Sequence, residues 1–352
     1  MKELPVEIIL LILDHLGPED LLSCIRSFPH FVPLLSAQHT KCEDDSRNTI
    51  LHLLVIENDN DLLYTLLCHN KNVDVNSKSS WEQTPLALAA EAGHSTTVKL
   101  LLKSNGVRVD ETDRTGSTPL AIAASYGNYE IAELLLDHGA SIRSRNLYGL
   151  TPLSCAATDG PTHLVNLLLR QTGVEVDHKE TKFQRTPLAL AARFGQPEVV
   201  KLLVGRDDVD ANSRDAYGKT PLALAASTND DASASLEIAK VLLGRRDVEA
   251  DSRDHHGRTP LSHATARGAI ALVRLLLERD DVDPQSRDDE GNTVLDWAGK
   301  GMVRGVAWLL MKRTGVETVW WDRPNGHGFD VRLRSLARCN CEIECMCPDF
   351  EG

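Results

Sequence analysis

Thr84-Pro85-Leu86-Ala87-Leu88-Ala89-Ala90 is repeated without change from Thr186 and again from Thr220. Related phrases bring the number of copies to eight, which begin at Thr49, Thr84, Thr118, Thr151, Thr186, Thr220, Thr259 and Thr293. Successive copies are 35, 34, 33, 35, 34, 39 and 34 residues apart. A nearly fixed period of this size is typical of a stacked solenoid rather than of a globular enzyme domain.

Two further features keep the same phase as the threonine. The ninth residue after it is one that tolerates a positive φ in seven copies, namely Gly93, Gly127, Gly160, Gly195, Gly268, Asn58 and Asn229. About sixteen residues after it comes an apolar triplet, as in 100–102 and 134–136. Each unit therefore predicts a short helix, a left-handed turn, a second helix and a polar connector, with stacking supplying the core.

The repeated phrase resembles the ankyrin repeat, in which proline fits the first turn of the first helix. The family's usual histidine after the leucine remains only at His52, so a hydrogen bond between repeats should be missing elsewhere. The resemblance covers about residues 46–318. It implies an all-α solenoid of about eight repeats, which start near residues 46, 81, 115, 148, 183, 217, 256 and 290.

The composition of the 352-residue chain narrows its function class. A net charge of −13 argues against a nucleic-acid or anionic-membrane partner. Glu7 and Asp14 interrupt the apolar N-terminal stretch, which therefore predicts neither a membrane span nor a signal peptide. Four cysteines lack the spacing of a disulfide framework, which favours an intracellular location in cytoplasm or nucleus: Cys24, Cys42, Cys68 and Cys155.

Residues 1–40 do not carry the repeat and hold more apolar residues than one neighbouring helix could cover. The opening phrase Leu4-Pro5-Val6-Glu7-Ile8 resembles an F-box, and an F-box followed by ankyrin repeats resembles an architecture of filamentous fungi. This resemblance implies binding to the Skp-family adaptor of a cullin-RING ubiquitin ligase. The residues expected to contact that adaptor are Leu4, Pro5, Ile8, Ile12, Leu16 and Leu21. The alternative is that residues 1–36 only cap the first repeat.

The connectors between helix pairs are expected to carry specificity, because solenoid loops lie side by side. Arg145, Arg214, Arg253 and Arg287 recur in these connectors, and all but the first are followed by aspartate. They predict either a strip that recognises an acidic partner or a set of pairs with aspartates of adjacent connectors. The candidate substrate-binding residues are Tyr148, Phe183, Arg214 and Tyr217, since exposed aromatic rings often anchor interfaces.

Two other segments depart from the regular repeat. The tail, residues 319–352, holds the weak zinc candidate Cys339, Cys341, Cys345 and Cys347, whose spacing is unusual for zinc, so we expect no bound metal. Residues 227–236 contain the insertion that lengthens one period to 39 residues, and we expect it to form an exposed loop between two helices.

No catalytic constellation is visible in the sequence: a Gly-rich phosphate loop, an H-E-x-x-H motif and a nucleophile elbow are all missing. We therefore predict a non-enzymatic adaptor without a cofactor. In this interpretation the F-box-like segment docks on the Skp-family adaptor and the repeats bind an unknown protein substrate. The alternative function is an ankyrin scaffold or inhibitor that has no link to ubiquitin.

Overall fold

The computed structural model describes residues 5–71, 73–228, 232–300, 304–314, 318–319 and 332–333. The N-terminal part of these residues forms short helices, which are α1 (Val6–Leu13), α2 (Pro18–Ser27), a 3-10 helix (Pro29–Leu34) and α3 (Ala37–Thr40). Near the other end, strands β1 (Thr318–Val319) and β2 (Arg332–Leu333) pair in antiparallel orientation.

Eight helix pairs lie between these parts, within the described ranges. They are α4 (Ile50–Ile56) with α5 (Asn60–His69), α6 (Pro85–Ala92) with α7 (Ser95–Leu102), α8 (Pro119–Ser125) with α9 (Tyr129–Asp137), α10 (Pro152–Asp159) with α11 (Thr162–Leu169), α12 (Pro187–Arg193) with α13 (Pro197–Val204), α14 (Pro221–Ser227) with α15 (Ala232–Leu243), α16 (Pro260–Ala266) with α17 (Ile270–Leu277), and α18 (Val294–Lys300) with α19 (Arg304–Thr314). We call the members of each pair its first and second helix.

The repeat threonine sets the start of the first helices. The Ala87 N–H donates to the Thr84 hydroxyl at 3.2 Å, which satisfies a backbone donor that has no partner within the helix. The same cap forms at Thr118, Thr151, Thr186, Thr220 and Thr259. The proline that follows each of these threonines has no N–H to satisfy, so each first helix begins at a defined residue.

The helices form two layers. Each first helix packs on the first helices of the neighbouring repeats, and each second helix packs on the neighbouring second helices. The buried leucines and paired alanines, such as Leu86, Ala89 and Ala90, belong to one core that runs through all repeats. The predicted all-α ankyrin solenoid is therefore confirmed, and burial of apolar area between units supplies the stability that no single unit has.

The predicted left-handed turn is confirmed at five positions, where φ lies between 54° and 76°: Asn58, Gly93, Gly127, Gly195 and Gly268. It is wrong at Gly160, whose φ of −75° and ψ of 149° are extended. Proline follows at 161 and disfavours a helical conformation in the preceding residue. Glycine is still required there, because a Cβ atom would lie 2.5 Å from the Ala156 carbonyl oxygen. Asn229 lies outside the described residues.

His52 makes the link between repeats that the sequence predicts for it. Its Nε2 lies 3.1 Å from the Gln83 carbonyl oxygen of the next repeat, and its Nδ1 lies 3.1 Å from the Thr49 backbone nitrogen. Burial lowers the pKa of His52, so the neutral ring donates from Nε2 and accepts at Nδ1. The equivalent alanines, such as Ala121, have no group that could make this bond.

The N-terminal segment continues both layers of the solenoid. Helix α2 packs on the first helix α4, and the 3-10 helix packs on the second helix α5. Leu21, Ile25 and Val32 are buried in the same core as the repeats. The Asn70 side chain also donates to the Leu35 carbonyl oxygen at 2.8 Å. Residues 18–35 therefore stack on the first repeat as an end unit.

The insertion does not form only an exposed loop. Helix α15 begins at Ala232 and has 12 residues, whereas the neighbouring second helices α13 and α17 have eight. Ala232 and Ser233 are exposed, but Ser235 is buried and Leu236 packs partly buried against the core. The expectation of a loop is thus wrong for residues 232–236. Residues 229–231 lie outside the described part.

Candidate protein-binding face

The connectors are joined to one another by backbone hydrogen bonds. The N–H of Ser80 donates to the carbonyl of Ser46 at 2.8 Å, and the N–H of Arg114 donates to that of Trp81 at 2.9 Å. The same bond is repeated from Leu147 to Thr115, from Thr181 to Tyr148, from Ala216 to Phe183, from His255 to Tyr217 and from Asp289 to His256. This ladder holds the tips at fixed spacing. We call the surface made by the connectors and by the first helices, including the C-terminal ends of these helices, the connector face.

One acidic or amide side chain organises most of these tips. The Asp113 carboxylate accepts the N–H groups of Thr115 and Ser117 at 2.8 and 2.9 Å. The same two bonds, to the residues two and four positions later, form at Asp44, Asn146, Asp215, Asp254 and Asp288. The aspartates that follow Arg214, Arg253 and Arg287 are thus used inside their own connectors.

The arginine row is fixed by carbonyl oxygens and glutamates rather than by the adjacent aspartates. Arg214 donates to the Arg253 carbonyl, and Arg253 donates to the Arg287 carbonyl at 2.6 Å. Arg145 pairs with Glu175 at 2.8 Å. The prediction that these arginines pair with aspartates of adjacent connectors is therefore wrong, because their partners are carbonyl oxygens and glutamates. Because Arg214 already bonds the next connector, its first role is to hold neighbouring repeats together.

The predicted substrate-binding rings fall into two groups. Tyr148 is 55% exposed, and within the described residues no ring contact joins it to the others. Phe183 is half-buried, and its ring centroid lies 6.2 Å from that of Tyr217, which is itself 49% exposed. The Arg185 guanidinium lies 4.5 Å from the Phe183 ring centroid. Phe183 and Tyr217 therefore have intramolecular neighbours, whereas Tyr148 projects into solvent.

The sequence reading missed three exposed aromatic residues on the connector face: Trp81, Tyr126 and Phe194. The Tyr126 hydroxyl donates to Glu91 at 2.9 Å, which raises the pKa of the tyrosine. Tyr126 and Phe194 were detectable, because each directly precedes the glycine of the left-handed turn. Exposed aromatic side chains on a rigid surface are typical of interface anchors.

A second apolar surface lies on α1. Ile8, Leu11 and Ile12 are 43%, 59% and 47% exposed, and Pro5 is also exposed. Leu16 packs partly against the core. We call Pro5, Val6, Ile8, Leu11 and Ile12 the α1 face, since these residues offer apolar surface in one short segment.

Leu21 does not belong to this surface, although the sequence placed it among the adaptor contacts. Leu21 is 0% exposed, and its side chain packs from α2 into the core. A partner could reach it only if α2 left the first repeat. Leu4 lies outside the described residues.

The weak zinc candidates Cys339, Cys341, Cys345 and Cys347 lie outside the described part of the chain. Among the residues that the structure does describe, no group of three or more His, Cys, Asp or Glu side chains could hold a metal ion. No helix in the described ranges is long and apolar enough to cross a bilayer.

Known proteins share parts of this sequence. The chain is 33% identical over 202 residues to the nuclear factor NF-kappa-B p105 subunit of Gallus gallus, which covers 55% of this chain and 20% of that protein. It is 30% identical over 184 residues to inversin of Canis lupus familiaris, and this match covers 52% of this chain and 17% of that protein. It is 40% identical over 77 residues to alpha-latrotoxin-Lg1a of Latrodectus geometricus, and this match covers 22% of this chain and 6% of that protein. The chain thus matches at most a fifth of the length of these relatives.

The model of the family "Ankyrin repeats (3 copies)" matches residues 22–113, 51–146, 88–180, 153–251 and 230–318. These matches run without a gap from α2 to the region after α19 and cover all eight described helix pairs. Ankyrin repeats indicate a scaffold for protein–protein interaction, and the connector face has the ordered tips and exposed rings that such a role needs. On its repeated phrase, its stacked helix pairs and these matches, the chain belongs to the ankyrin-repeat family.

Proposed function

We propose that this protein is a non-enzymatic adaptor that uses two separate surfaces. The connector face binds a protein substrate, and the α1 face binds the Skp-family adaptor of a cullin-RING ubiquitin ligase. The observation that carries this proposal is the α1 face, where four large apolar side chains lie exposed on one helix of eight residues. Leaving this much apolar surface in water is unfavourable, so a partner that covers it gains free energy of binding.

The contacts with the adaptor are now assigned to Pro5, Ile8, Leu11 and Ile12. Pro5 and Ile8 belong to the F-box-like phrase and Leu11 and Ile12 follow it, and their side chains can be covered without moving α2. Leu13, which directly follows Ile12, is buried and anchors α1 to the rest of the protein. This division supports a helix that is held on one side and free to bind on the other.

A second candidate function is an ankyrin scaffold without a link to ubiquitin. The stacking of α2 on α4 and of the 3-10 helix on α5 favours it, because these elements cover the end of the core as a terminal unit must. Capping accounts for the buried residues of this segment. It gives no role to the exposed side chains of α1.

Capture by an immobilised Skp-family adaptor tests the first proposal. The double variant Ile8→Ser and Ile12→Ser should lose capture and keep the melting temperature, because both side chains are already about half exposed. The matched control is Ile56→Ser with Ile270→Ser, which removes two exposed isoleucines elsewhere. Retained capture, or a large fall in melting temperature for the α1 variant alone, would favour the scaffold.

A further inference from the structure

Three consecutive repeats carry a cation immediately before the repeat threonine: Arg185, Lys219 and Arg258. In the structure these residues line one groove of about 360 Å³ on the connector face, above α12 and α14. Arg193, the last residue of α12, adds a fourth cation. All four residues are partly buried, so the groove holds its positive charge close to the first helices rather than on mobile tips.

The carboxylates near this groove are already used within the protein. Asp254 is the acidic residue among those that line it, and its Oδ2 lies 2.9 Å from His263 Nε2. The Asp215 side chain lies beneath, with its Oδ2 at 3.2 Å from Arg185 Nε. The Oδ1 atoms of both aspartates accept N–H groups of their own connectors. The three connector cations Arg185, Lys219 and Arg258 therefore face two carboxylates.

The unbalanced charge has an energetic consequence at two of the cations. Burial lowers the pKa of Lys219, despite the opposing effect of the two aspartates. Arg258 Nε is buried and has no hydrogen-bond partner among the described residues, and the guanidinium lies 4.6 Å from the Trp297 ring centroid. Partly desolvated cations without enough counter-charge are costly, and a bound anion would relieve that cost.

The corresponding groove over the second and third repeats is different. It has a volume of about 380 Å³ and is lined by Glu91 and Asp113 with one cation, Arg114. The basic character thus belongs to the fifth to seventh repeats and is not a general property of the connector face. The chain as a whole has a net charge of −13, so an acidic ligand is attracted to this localised basic groove and not to the rest of the surface.

We propose that the groove of Arg185, Lys219 and Arg258 binds an extended peptide segment with Asp or Glu at every third residue. Neighbouring first helices are spaced by about 10 Å, and a chain in the polyproline II conformation has three residues per turn and rises about 3.1 Å per residue, so every third side chain lies on the same face about 9 Å apart. Successive acidic side chains then meet successive cations. This inference rests on the proposed role of the connector face in binding a protein, and it supplies the chemistry of the bound segment.

Fluorescence anisotropy with the full chain tests the proposal. One labelled peptide carries glutamate at every third position of a Gly/Ser background, and a second has the same composition with its glutamates contiguous. The spaced peptide should bind about 5-fold more tightly, and Lys219→Gln should weaken its binding about 5-fold, as expected for loss of one partly exposed ion pair. Lys201→Gln on the exposed side of α13 is the matched control and should change nothing.

Equal affinities for the two peptides, or unchanged binding by the Lys219→Gln variant with an unchanged melting temperature, would overturn the proposal. The α1 variants separate this result from the proposed function. If adaptor capture persists while the spaced peptide shows no preference for the groove, only the groove assignment fails. If capture is absent but the peptide binds as expected, the link to the ligase fails and the groove assignment holds.

Discussion

Replacing Asp251 with asparagine is expected to stabilise the protein at neutral pH. Asp251 Oδ1 is buried and has no hydrogen-bond partner among the described residues. Burial is the main cause that raises the pKa of Asp251 from 3.8 to about 6, and the charges of Asp283 and Asp281 raise it further. The Asp283 N–H donates to the carboxylate and opposes this shift. Asparagine keeps an oxygen that can accept from the same N–H and removes the charge.

The size and pH dependence of this effect follow from the pKa. A difference of about two pH units corresponds to at most about 3 kcal/mol, and solvent screening of a partly buried carboxyl reduces this to about 1–2 kcal/mol. The pKa is higher in the folded protein, so the folded state binds the proton first as the pH falls. The loss of stability that ionised Asp251 causes is therefore complete above about pH 7, and it shrinks as the pH falls through about 6. It is gone near pH 4, where the unfolded chain also protonates.

Urea unfolding followed by circular dichroism at pH 7.5 and pH 4.5 measures the difference between Asp251→Asn and the unchanged protein. Burial lowers the pKa of His52 and His263, so acid destabilises both proteins through them, and this effect cancels in the difference. The control is Asp247→Asn, because Asp247 pairs with Arg245 at 2.6 Å and has a lowered pKa. It should give no gain at pH 7.5. The reasoning would be refuted if Asp251→Asn gave no gain in stability at pH 7.5, or the same gain at both pH values.

Two further substitutions and one deletion test the packing of the repeats by thermal melting. Ala121→His should raise stability by about 1 kcal/mol, because the new ring can repeat the bond that His52 makes and reach the Leu150 carbonyl; a lower melting temperature would mean that the alanine layer cannot admit the ring. Deleting residues 232–236 should cost at least about 2 kcal/mol through the loss of buried α15 contacts, and an unchanged melting temperature would show that this turn is dispensable. Gly93→Ala should cost about 1 kcal/mol because φ is +76° there, and a neutral result would contradict the assigned left-handed turn.

Much of the fold could be predicted from the sequence because the relevant forces act within a few residues. A threonine caps the helix that begins at the next residue, proline fits that first turn, and glycine permits the left-handed turn at its end. The one wrong turn, at Gly160, also has a local cause in the following proline. The period then predicts stacking, since identical units offer identical apolar faces.

The candidate surfaces depended on contacts between residues about 30 to 40 positions apart. Leu21 and Ile12 are both apolar residues of the N-terminal segment, yet α2 packs on α4 and buries the first, whereas the second stays exposed on α1. Arg214 and Lys219 are both connector cations, yet one bonds the next connector and the other lines a groove. The sequence alone determined the repeat, its helices and its family. Only the tertiary structure decided which side chains face a partner, because burial and charge balance at each position are set by the neighbouring repeat.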